Sequence, residues 1–381
     1  MALSQVRVDR GDPSPEPQLT LPSRCYTDDT LYRRERDRIF RRCWQVAGNR
    51  ADVADPGTYF TCNIVGQDLA VVRGRDGVLR AFHNVCQHRG HRLLQGKGVL
   101  KVAITCPYHA WAYGLDGRLR GAPNAENVPG FDPGKVSLAP VAVEEVGKLV
   151  LVNLDPAAPS FDALFPGVRD ELAEFAPRLG ETEFYHRSTV ELACNWKVAF
   201  ENYGECYHCR HAHPTLTTGL LDPDRYEVRL FANHTKHRSG PAAGGISLYH
   251  VDSATGPYAQ ELSSWVLWPN LALQINPGTN HVVFQFLPAG VDRTIAHVDW
   301  YFGPWVETGE RDRIIEEHRA TTLQEDVDLV ANVQIGLNSD GYDRGVLMVD
   351  QTYPMAGHSE HPVAHFQNLW RDAMGDAFVE T

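Results

Sequence analysis

The sequence lacks several features that would assign it at once to a broad class of protein. No window holds the roughly 18 consecutive apolar residues of a transmembrane helix, and the start, MALSQVRVDRGDPSPEPQL, lacks the apolar core of a signal peptide. No G-x-G-x-x-G follows a strand, no P-loop occurs, and no internal repeat is visible. We therefore expect a cytoplasmic protein with no membrane span and no nucleotide site of its own.

Basic residues and cysteines are also scarce. The chain has 36 Lys and Arg against 48 Asp and Glu, and its net charge of −12 has the wrong sign for a large nucleic-acid footprint. Eight cysteines in 381 residues are too few for a disulfide scaffold, so we expect reduced thiols, metal ligands or core residues. A small molecule is the expected partner, and the 17 histidines matter through their positions.

Length and composition predict a globular chain of two or three units, since a domain averages about 150 residues. Residues 1–43 are expected to form a proline-rich lead-in with one helix over Thr27–Phe40. Residues 44–155 show short alternating strands, which predicts a small all-β domain. Residues 156–381 mix helical segments with long strands, which predicts an α+β domain whose longest helix covers Thr308–Leu337.

Two short motifs in the all-β domain each pair a cysteine with a histidine. Cys86-x-His88 is followed, after 17 residues, by Cys106-x-x-His109. Two thiolates and two imidazoles suit either a tetrahedral zinc ion or a [2Fe–2S] cluster with both histidines on one iron. A zinc finger groups cysteine with cysteine and histidine with histidine, whereas here each loop supplies one of each. We therefore expect the iron–sulfur cluster, with zinc as the alternative.

The segments around these ligands, CQHRGHRL and CPYHAWAYGLDGRL, resemble the Rieske motif in the large subunits of Rieske non-haem iron oxygenases. The resemblance implies a Rieske [2Fe–2S] domain held by the four residues named above. Most such proteins have glycine after the second histidine, and this chain has Ala110 instead. We expect the extra methyl group to be tolerated there.

The α+β domain carries a second set of candidate ligands in the segment NWKVAFENYGECYHCRHAHP. Asn195 is a good helix N-cap, and the aromatic residues after it recur at helical spacing, so we expect a helix that places Glu205 beside His208. His213 lies five residues after His208, about 140° away on an ideal helix. Both can bind one ion only if the helix ends between them, and Pro214 favours such an end.

Two alternatives stay open in this segment. His211 lies three residues after His208 and competes with His213 on simple helical geometry. Cys206-x-x-Cys209 has the spacing of zinc ligands and would bind zinc together with two histidines.

The missing carboxylate is expected from the long helix after Thr308. With Leu323 at 0° and about 100° per residue, Asp326 lies at about −60°, beside the apolar stripe. Glu325 lies at about 200° and Asp328 at about 140°, so neither faces the core. A carboxylate in a buried stripe is costly unless it meets a cation, which favours Asp326 as a metal ligand. The alternative is an aspartate at the edge of the core that reaches water or an arginine.

Two histidines and one carboxylate with open positions form the facial triad of non-haem Fe(II) oxygenases. FENYGECYHCRHAHP resembles the catalytic motif of the Rieske oxygenases, and EDVDLVANVQIGL resembles the stretch that carries their third ligand. With the Rieske motif, the resemblance spans about residues 40–340. It implies a START-like helix-grip catalytic domain with mononuclear Fe(II) at His208, His213 and Asp326.

The same resemblance implies partners and further site residues. It implies O₂, a small-molecule substrate, a flavin- or ferredoxin-type reductase that uses NAD(P)H, and a head-to-tail ring, commonly a homotrimer. Glu205 takes the position of the carboxylate that links a cluster histidine to an iron histidine in the family, where most members have aspartate. Asn202 is grouped with Glu205 as a candidate catalytic residue.

The substrate is indicated by Glu205 and by three segments: ENYGECYHC, SSWVLWPNLALQINPGTNHVVFQF and HFQNLW. These resemble the branch that oxidises quaternary amines such as glycine betaine and carnitine. A quaternary ammonium group binds aromatic faces, so we expect a pocket lined by Tyr203, Trp265, Trp268 and Phe284. The expected reaction is hydroxylation or N-demethylation of a small quaternary amine of the glycine betaine, carnitine or proline betaine type. The alternative is the alpha subunit of an aromatic-ring dioxygenase; an electron carrier or a zinc-stabilised binding protein are hypotheses from other classes.

Overall fold

The computed structural model describes residues 17–249, 258–278 and 280–378, so the first part of the predicted lead-in lies outside the described residues. The chain forms two compact units, Ile39–Phe161 and Met1–Arg38 with Asp162–Thr381, and each is described here by itself. The first contains the predicted all-β domain. The second contains the predicted α+β domain together with the N-terminal helical segment. None of the helices among the described residues is long and apolar enough to cross a membrane.

The N-terminal segment is helical in three short pieces rather than in one helix over Thr27–Phe40. Asp28 interrupts it because its carboxylate caps the second piece, accepting hydrogen bonds from the amides of Thr30 at 2.6 Å and Leu31 at 3.2 Å. The pieces are α1 (Arg24–Thr27), α2 (Asp29–Glu35) and a π-helical turn (Arg36–Phe40).

The unit Ile39–Phe161 is built from ten short antiparallel strands. They are β1 (Gln45–Asn49), β2 (Thr58–Ile64), β3 (Gln67–Arg73), β4 (Leu79–His83), β5 (Lys97–Val99), β6 (Ile104–Thr105), β7 (Ala112–Tyr113), β8 (Leu119–Gly121), β9 (Pro140–Val146) and β10 (Leu149–Asn153). One sheet has the order β1-β10-β9-β4-β3-β2-β5 and the other β6-β7-β8. The all-β prediction is confirmed.

The second unit is organised around one antiparallel sheet of seven strands among its described residues. They are β11 (Glu183–Leu192), β12 (Glu227–Leu230), β13 (His234–Ser239), β14 (Leu262–Leu267), β15 (Leu271–Asn276), β16 (Asn280–Gly290) and β17 (Arg293–Phe302). Their order is β11-β17-β16-β15-β14-β13-β12. Strands β14 and β15 are buried along nearly their whole length because both faces of the sheet are covered, one by helices around a cavity.

Helices cover this sheet, and together they confirm the predicted α+β class. They are α3 (Phe161–Leu164), α4 (Val168–Phe175), α5 (Trp196–Tyr203), α6 (Cys209–Ala212), α7 (Pro214–Gly219), α8 (Thr308–His318), α9 (Gln324–Leu337) and α10 (His361–Met374). The helix predicted over Thr308–Leu337 is present as α8 and α9, with a π-helical turn at Arg319–Leu323 between them. Such turns often occur at functional sites.

A buried ion pair joins three helices of this unit. Lys197 of α5 and Glu35 of α2 are both fully buried, with their charged atoms 2.5 Å apart. Glu35 also accepts hydrogen bonds from the indole N–H of Trp196 at 2.7 Å and of Trp370 at 2.6 Å. These donors satisfy the buried carboxylate and fix α5, which leads into the candidate ligands, against α2 and α10.

Candidate metal centres and active site

The two loops that carry the cysteine–histidine motifs, Cys86–His91 and Cys106–Trp111, have the same backbone closure. In each loop, the cysteine carbonyl accepts a hydrogen bond at 3.0 Å from the amide four residues later. The cysteine amide donates at 2.8 Å to the carbonyl five residues later, again in both loops. The two loops therefore share one backbone geometry, although the histidine follows the cysteine by two residues in one and by three in the other.

The residue that closes each loop has a left-handed backbone, with φ of 72° at Gly90 and 58° at Ala110. Glycine adopts this conformation without steric cost, whereas for alanine it carries a steric cost. The preference for glycine after the second histidine therefore has a backbone cause, and Ala110 shows that the methyl group is accommodated.

The four candidate cluster ligands divide into an inner and an outer pair. Cys86 and Cys106 are buried in one apolar cluster, and the Cys86 sulfur lies 3.2 Å from the Tyr113 hydroxyl. His88 and His109 lie at the outer end, with ring centroids 4.6 Å apart in an edge-to-face arrangement. Nδ1 of His109 is buried and has no hydrogen-bond partner within the described chain. A polar donor set with an unpaired buried nitrogen fits a bound cluster better than a protein core.

The second set of ligands lies where helix α5 ends. The Asn195 side chain caps the start of α5 by accepting from the Lys197 amide at 3.0 Å. The helix stops at Tyr203, so Glu205 and His208 lie in a turn rather than on the continuous helix that we expected. Helix α6 then stops at Ala212, before Pro214, which is the interruption predicted between His208 and His213.

Three side chains from this turn and from α9 converge. The Nε2 atoms of His208 and His213 are 3.0 Å apart, and Oδ1 of Asp326 lies 3.1 Å from the His213 Nε2 and 3.9 Å from the His208 Nε2. All three ligand atoms lie within 4.8 Å of one another. Oδ1 of Asp326 is buried with no hydrogen-bond partner among the described residues. Two facing imidazole nitrogens and an unpaired carboxylate oxygen fit a metal ion, and the set is that of a facial triad.

Each imidazole of this set has a carboxylate behind it. Nδ1 of His208 donates to Glu205, and Nδ1 of His213 donates to Glu325 at 2.7 Å. A proton on Nδ1 leaves the Nε2 lone pair free to bind a metal. Burial lowers the pKa of His213, but the nearby carboxylates of Asp326 and Glu325 raise it, and the net shift is upward.

Glu325 was not predicted as a partner of this site. The helical wheel placed it away from the core, yet His213 lies across the first turn of α9, where two successive residues reach its ring from different sides. The signal in the sequence was the adjacent acidic pair Glu325-Asp326, which occurs on a helix already assigned to the metal site.

Two alternatives are not brought into the site. His211 is exposed and makes no part of the converging group. Cys206 and Cys209, expected as reduced thiols or zinc ligands, form a disulfide. The break after α5 allows this, because the turn brings their Cα atoms to 4.9 Å, a distance that a disulfide spans.

A cavity of about 1020 Å³, including its mouth, opens onto the triad. Helix α5 contributes Asn202 and Tyr203, and alternate residues of the sheet contribute Ser264, Gln274 and Phe284. The Tyr203 hydroxyl donates to the Gln274 side chain at 2.8 Å and lies 3.0 Å from the Ser264 hydroxyl. Further aromatic residues line the wall: Tyr226, Tyr249 and Phe286.

No lysine or arginine lines the cavity in the part of the chain that the structure describes. Besides the triad histidines, His237 and His318 line it, and burial lowers their pKa to about 3 and about 4, so both are neutral near pH 7. The charged side chains of the wall are the carboxylates Glu205 and Asp326. This wall favours a cation or a neutral molecule over an anion.

Two of the four predicted pocket aromatics, Tyr203 and Phe284, line the cavity, and Trp265 and Trp268 do not. Trp265 follows Ser264 on β14, and because strand residues alternate between faces it points to the opposite side. There its indole N–H donates to Glu171 at 2.6 Å. Trp268 lies beyond the end of β14 and packs edge to face against Trp196.

Comparisons with known proteins identify the two domains that carry these candidate sites. Residues 43–132 match the Rieske [2Fe-2S] domain, and residues 179–376 match the ring hydroxylating alpha subunit (catalytic domain). The chain is 38% identical to the carnitine monooxygenase oxygenase subunit of Escherichia coli (strain K12), covering 95% of this chain and 96% of that one. It is 30% identical to the glycine betaine monooxygenase oxygenase subunit of Chromohalobacter salexigens, covering 97% and 87%.

Solved structures show the same similarity. A quaternary ammonium Rieske monooxygenase, studied for carnitine oxidation and inter-subunit electron transfer, superposes with a TM-score of 0.82 at 33% identity, over 94% of this chain and 96% of that one. Naphthalene 1,2-dioxygenase from Rhodococcus superposes with a TM-score of 0.76 at 19% identity, over 93% and 94%, which shows the shared fold.

Proposed function

The chain belongs to the Rieske oxygenases with a ring-hydroxylating alpha-subunit catalytic domain, and from this premise we propose that it is the oxygenase component of a monooxygenase acting on a small quaternary amine. The family makes it an oxidoreductase with a [2Fe–2S] cluster and a mononuclear iron. The observation that carries the substrate class is the cavity, whose aromatic wall has no cationic side chain among the described residues and opens onto the converging triad.

The residues that would hold the two cofactors are those on which the sequence and the geometry agree. For the cluster they are Cys86, His88, Cys106 and His109, and for the iron His208, His213 and Asp326. When bound, the cluster supplies single electrons and the iron supplies the activation of O₂. Glu205 keeps the Nδ1 proton of His208 in place, so that Nε2 faces the iron site.

The cavity walls bind and orient the substrate in this proposal. The faces of Tyr203 and Phe284, with ring centroids 4.8 Å apart, offer cation–π contact to a trimethylammonium group, at about 2 kcal/mol when desolvated. The Tyr203 hydroxyl, joined to Ser264 and Gln274, provides a polar group beside these rings. The apolar residues of the cavity wall exclude water from the C–H bonds beside nitrogen. Asn202 is a further candidate for contact with substrate.

Two partners complete the proposal. The relatives are oxygenase subunits by name, which supports a separate reductase of the flavin or ferredoxin type as the source of electrons from NAD(P)H. The similarity to a Rieske monooxygenase with inter-subunit electron transfer supports a ring of identical chains, for which we propose a homotrimer. In such a ring Glu205 would link the iron histidine to a cluster histidine of a neighbouring copy.

Oxygen uptake with a surrogate reductase tests the substrate class. We expect uptake and product formation with at least one of carnitine, γ-butyrobetaine, glycine betaine, choline and proline betaine. The matched control is a carbon isostere, such as 3,3-dimethylbutan-1-ol for choline, which keeps the shape and loses the charge. Its KM should be higher by about 30-fold, the equivalent of about 2 kcal/mol.

Equal KM values for the charged and the neutral compound would refute recognition of the cation. Turnover of naphthalene or toluene with none of the amines would favour the aromatic-ring dioxygenase, which the same aromatic wall could accommodate.

A further inference from the structure

Each histidine of the triad donates a hydrogen bond from Nδ1, the ring nitrogen that faces away from the triad, and each donates to a different glutamate. Glu205 accepts from His208, as the family resemblance led us to expect, and Glu325 accepts from His213 at 2.7 Å. We infer that Glu325 is a positioning residue of the iron site, which holds the His213 ring with Nε2 toward the metal. This inference rests on the proposed function, because it takes the triad as an iron site.

The contact fixes the orientation and the tautomer of His213. The His213 side chain is only 2% exposed and lies between two acids, with Asp326 at Nε2 and Glu325 at Nδ1. If the ring turned over, the Nδ1 proton would lose its acceptor inside a buried site, at the cost of an unsatisfied polar group. The Glu325 hydrogen bond therefore selects the arrangement in which the Nε2 lone pair faces the other two ligands.

Glu325 is suited to this task by its own surroundings. Its side chain is 32% exposed, so the carboxylate keeps contact with water while it accepts the hydrogen bond from His213. Within the described residues, the Glu325 side chain makes one hydrogen bond, which it accepts from His213. A glutamate used only for surface solubility would extend into water, as the neighbouring Asp328 does on the exposed face of α9.

Helix α9 presents the ligand and the positioning residue together. Glu325 and Asp326 are consecutive in its first turn, so one rigid element sets the distances to both nitrogens of the same imidazole. Glu205, in contrast, lies in the same turn as the histidine that it supports. The two carboxylates therefore hold the histidines from different elements, and Glu325 is the one that joins the α9 side to the α6–α7 side.

The charge at Glu325 also affects the strength of metal binding. Glu205, Glu325 and Asp326 place three carboxylates around two imidazoles. An anionic acceptor at Nδ1 increases the basicity of Nε2 and so strengthens its bond to a cation. Glu325→Gln keeps an acceptor oxygen and removes the charge, whereas Glu325→Ala removes both.

The affinity of the mononuclear site for Fe(II) tests this inference. It is measured by competition with a chelator, in full-length protein that retains its Rieske cluster. We expect Glu325→Ala to weaken Fe(II) binding by about 10- to 100-fold, the range for such partners of metal-binding histidines, and Glu325→Gln to fall between Ala and wild type. Co(II) bound in the same site should show shifted visible bands in both variants. Asp328→Asn, one turn of helix away and exposed, is the matched control and should leave affinity and spectrum unchanged.

The outcomes separate this inference from the proposed function. Wild-type affinity and an unchanged Co(II) spectrum in both Glu325 variants would overturn the positioning role, while the iron site itself would stand. If wild type and His213→Ala bound Fe(II) equally, the iron site would be wrong, and with it the proposed function. Should Glu325→Ala fail to fold, Glu325→Gln still decides, because it preserves the size of the side chain.

Discussion

Gly90 and Ala110 occupy equivalent places in the two candidate cluster loops, and their left-handed backbones have φ of 72° and 58°. An L-residue with a side chain is disfavoured there by about 1 kcal/mol relative to glycine. Ala110 therefore stores a small amount of strain directly after His109, whereas Gly90, two residues after His88, stores none. The same loop geometry is thus reached from two residue types, at different conformational cost.

We predict that Ala110→Gly stabilises the unit Ile39–Phe161, called here the β unit, by about 1 kcal/mol and that Gly90→Ala destabilises it by a similar amount. A Cβ at Gly90 would meet no atom within 4 Å, so the cost of that change is conformational rather than steric. The loss of the visible absorbance of the cluster on heating measures both effects. The explanation fails if Gly90→Ala leaves the midpoint of this transition where it is.

His211 and His213 offer a matched pair for testing the triad. His213 is 1% exposed and converges with His208 and Asp326, whereas His211 is exposed. His213→Ala should reduce the iron content from about three to about two per chain, leave the cluster spectrum intact and abolish substrate-dependent O₂ uptake. His211→Ala should retain iron and activity. The opposite pattern would reassign the ligand to His211.

At the scale of elements, a buried lysine connects α4 to the outer face of the sheet. Lys236 of β13 is 2.8 Å from Glu171 of α4, and its ammonium group lies 3.8 Å from the centroid of the Trp265 ring. Burial lowers the pKa of Lys236 from 10.5 to about 8, against the opposing effect of Glu171. This packing is the structural role of Trp265, which the sequence had suggested for the substrate pocket.

The pKa of Lys236 predicts a pH dependence of stability. Between about pH 8 and pH 10.5 the unfolded chain binds this proton and the folded chain does not, so the free energy of unfolding rises with pH across that window. The shift corresponds to at most about 3 kcal/mol. Urea midpoints at pH 7.5 and pH 9.5 should show the rise in wild type, and Lys236→Met should reduce it. An equal pH response in both proteins would exclude Lys236 as its source.

The cluster ligands could be predicted from the sequence because each motif lies within one short loop, and the loop geometry follows from residues a few positions apart. The approach of His208 and His213 could be predicted because Pro214 marks the break in the helix. The approach of Glu325 to His213 could not be predicted. A helical wheel gives the direction of a side chain on its own helix, but it does not give the position of a ring from another segment, such as that of His213 at the first turn of α9.

Two other errors have local physical causes. Trp265 was placed in the pocket because aromatic faces bind a quaternary ammonium group, although the alternation of β14 puts it on the face opposite to Ser264. The Cys206–Cys209 disulfide was missed because a continuous helix was assumed, and α5 ends before both cysteines. In both cases the residue types were recognised, and the face or the end of the element was not.

At the scale of the whole molecule, the Lys197–Glu35 pair is fully buried, and it holds together helices from distant parts of the chain. Removing one member of a buried ion pair costs about 3–5 kcal/mol, because the remaining charge has no partner. The indole donors of Trp196 and Trp370 would compensate the Glu35 carboxylate only in part.

Lys197→Met is therefore predicted to lower the free energy of unfolding of the second unit, which contains the triad, by about 3 kcal/mol or more. Urea unfolding followed by tryptophan fluorescence, with the cluster absorbance recorded in parallel, measures this. Glu316→Gln is the control, because it breaks an exposed ion pair with Arg319 and should change stability by less than about 1 kcal/mol. Similar losses in the two variants would contradict the special role of the buried pair.

The position of these helices along the chain affects the order of events during synthesis. Helix α2 precedes the β unit (Ile39–Phe161) and α10 follows it, so the β unit lies between two parts of the other unit in the sequence. Domains fold as units while the ribosome elongates the chain. The unit with the cluster ligands is complete once Phe161 has emerged, whereas Glu35 must wait for Trp370, more than 200 codons later. We therefore expect the β unit to be able to fold before the contacts between α2 and α10 can form.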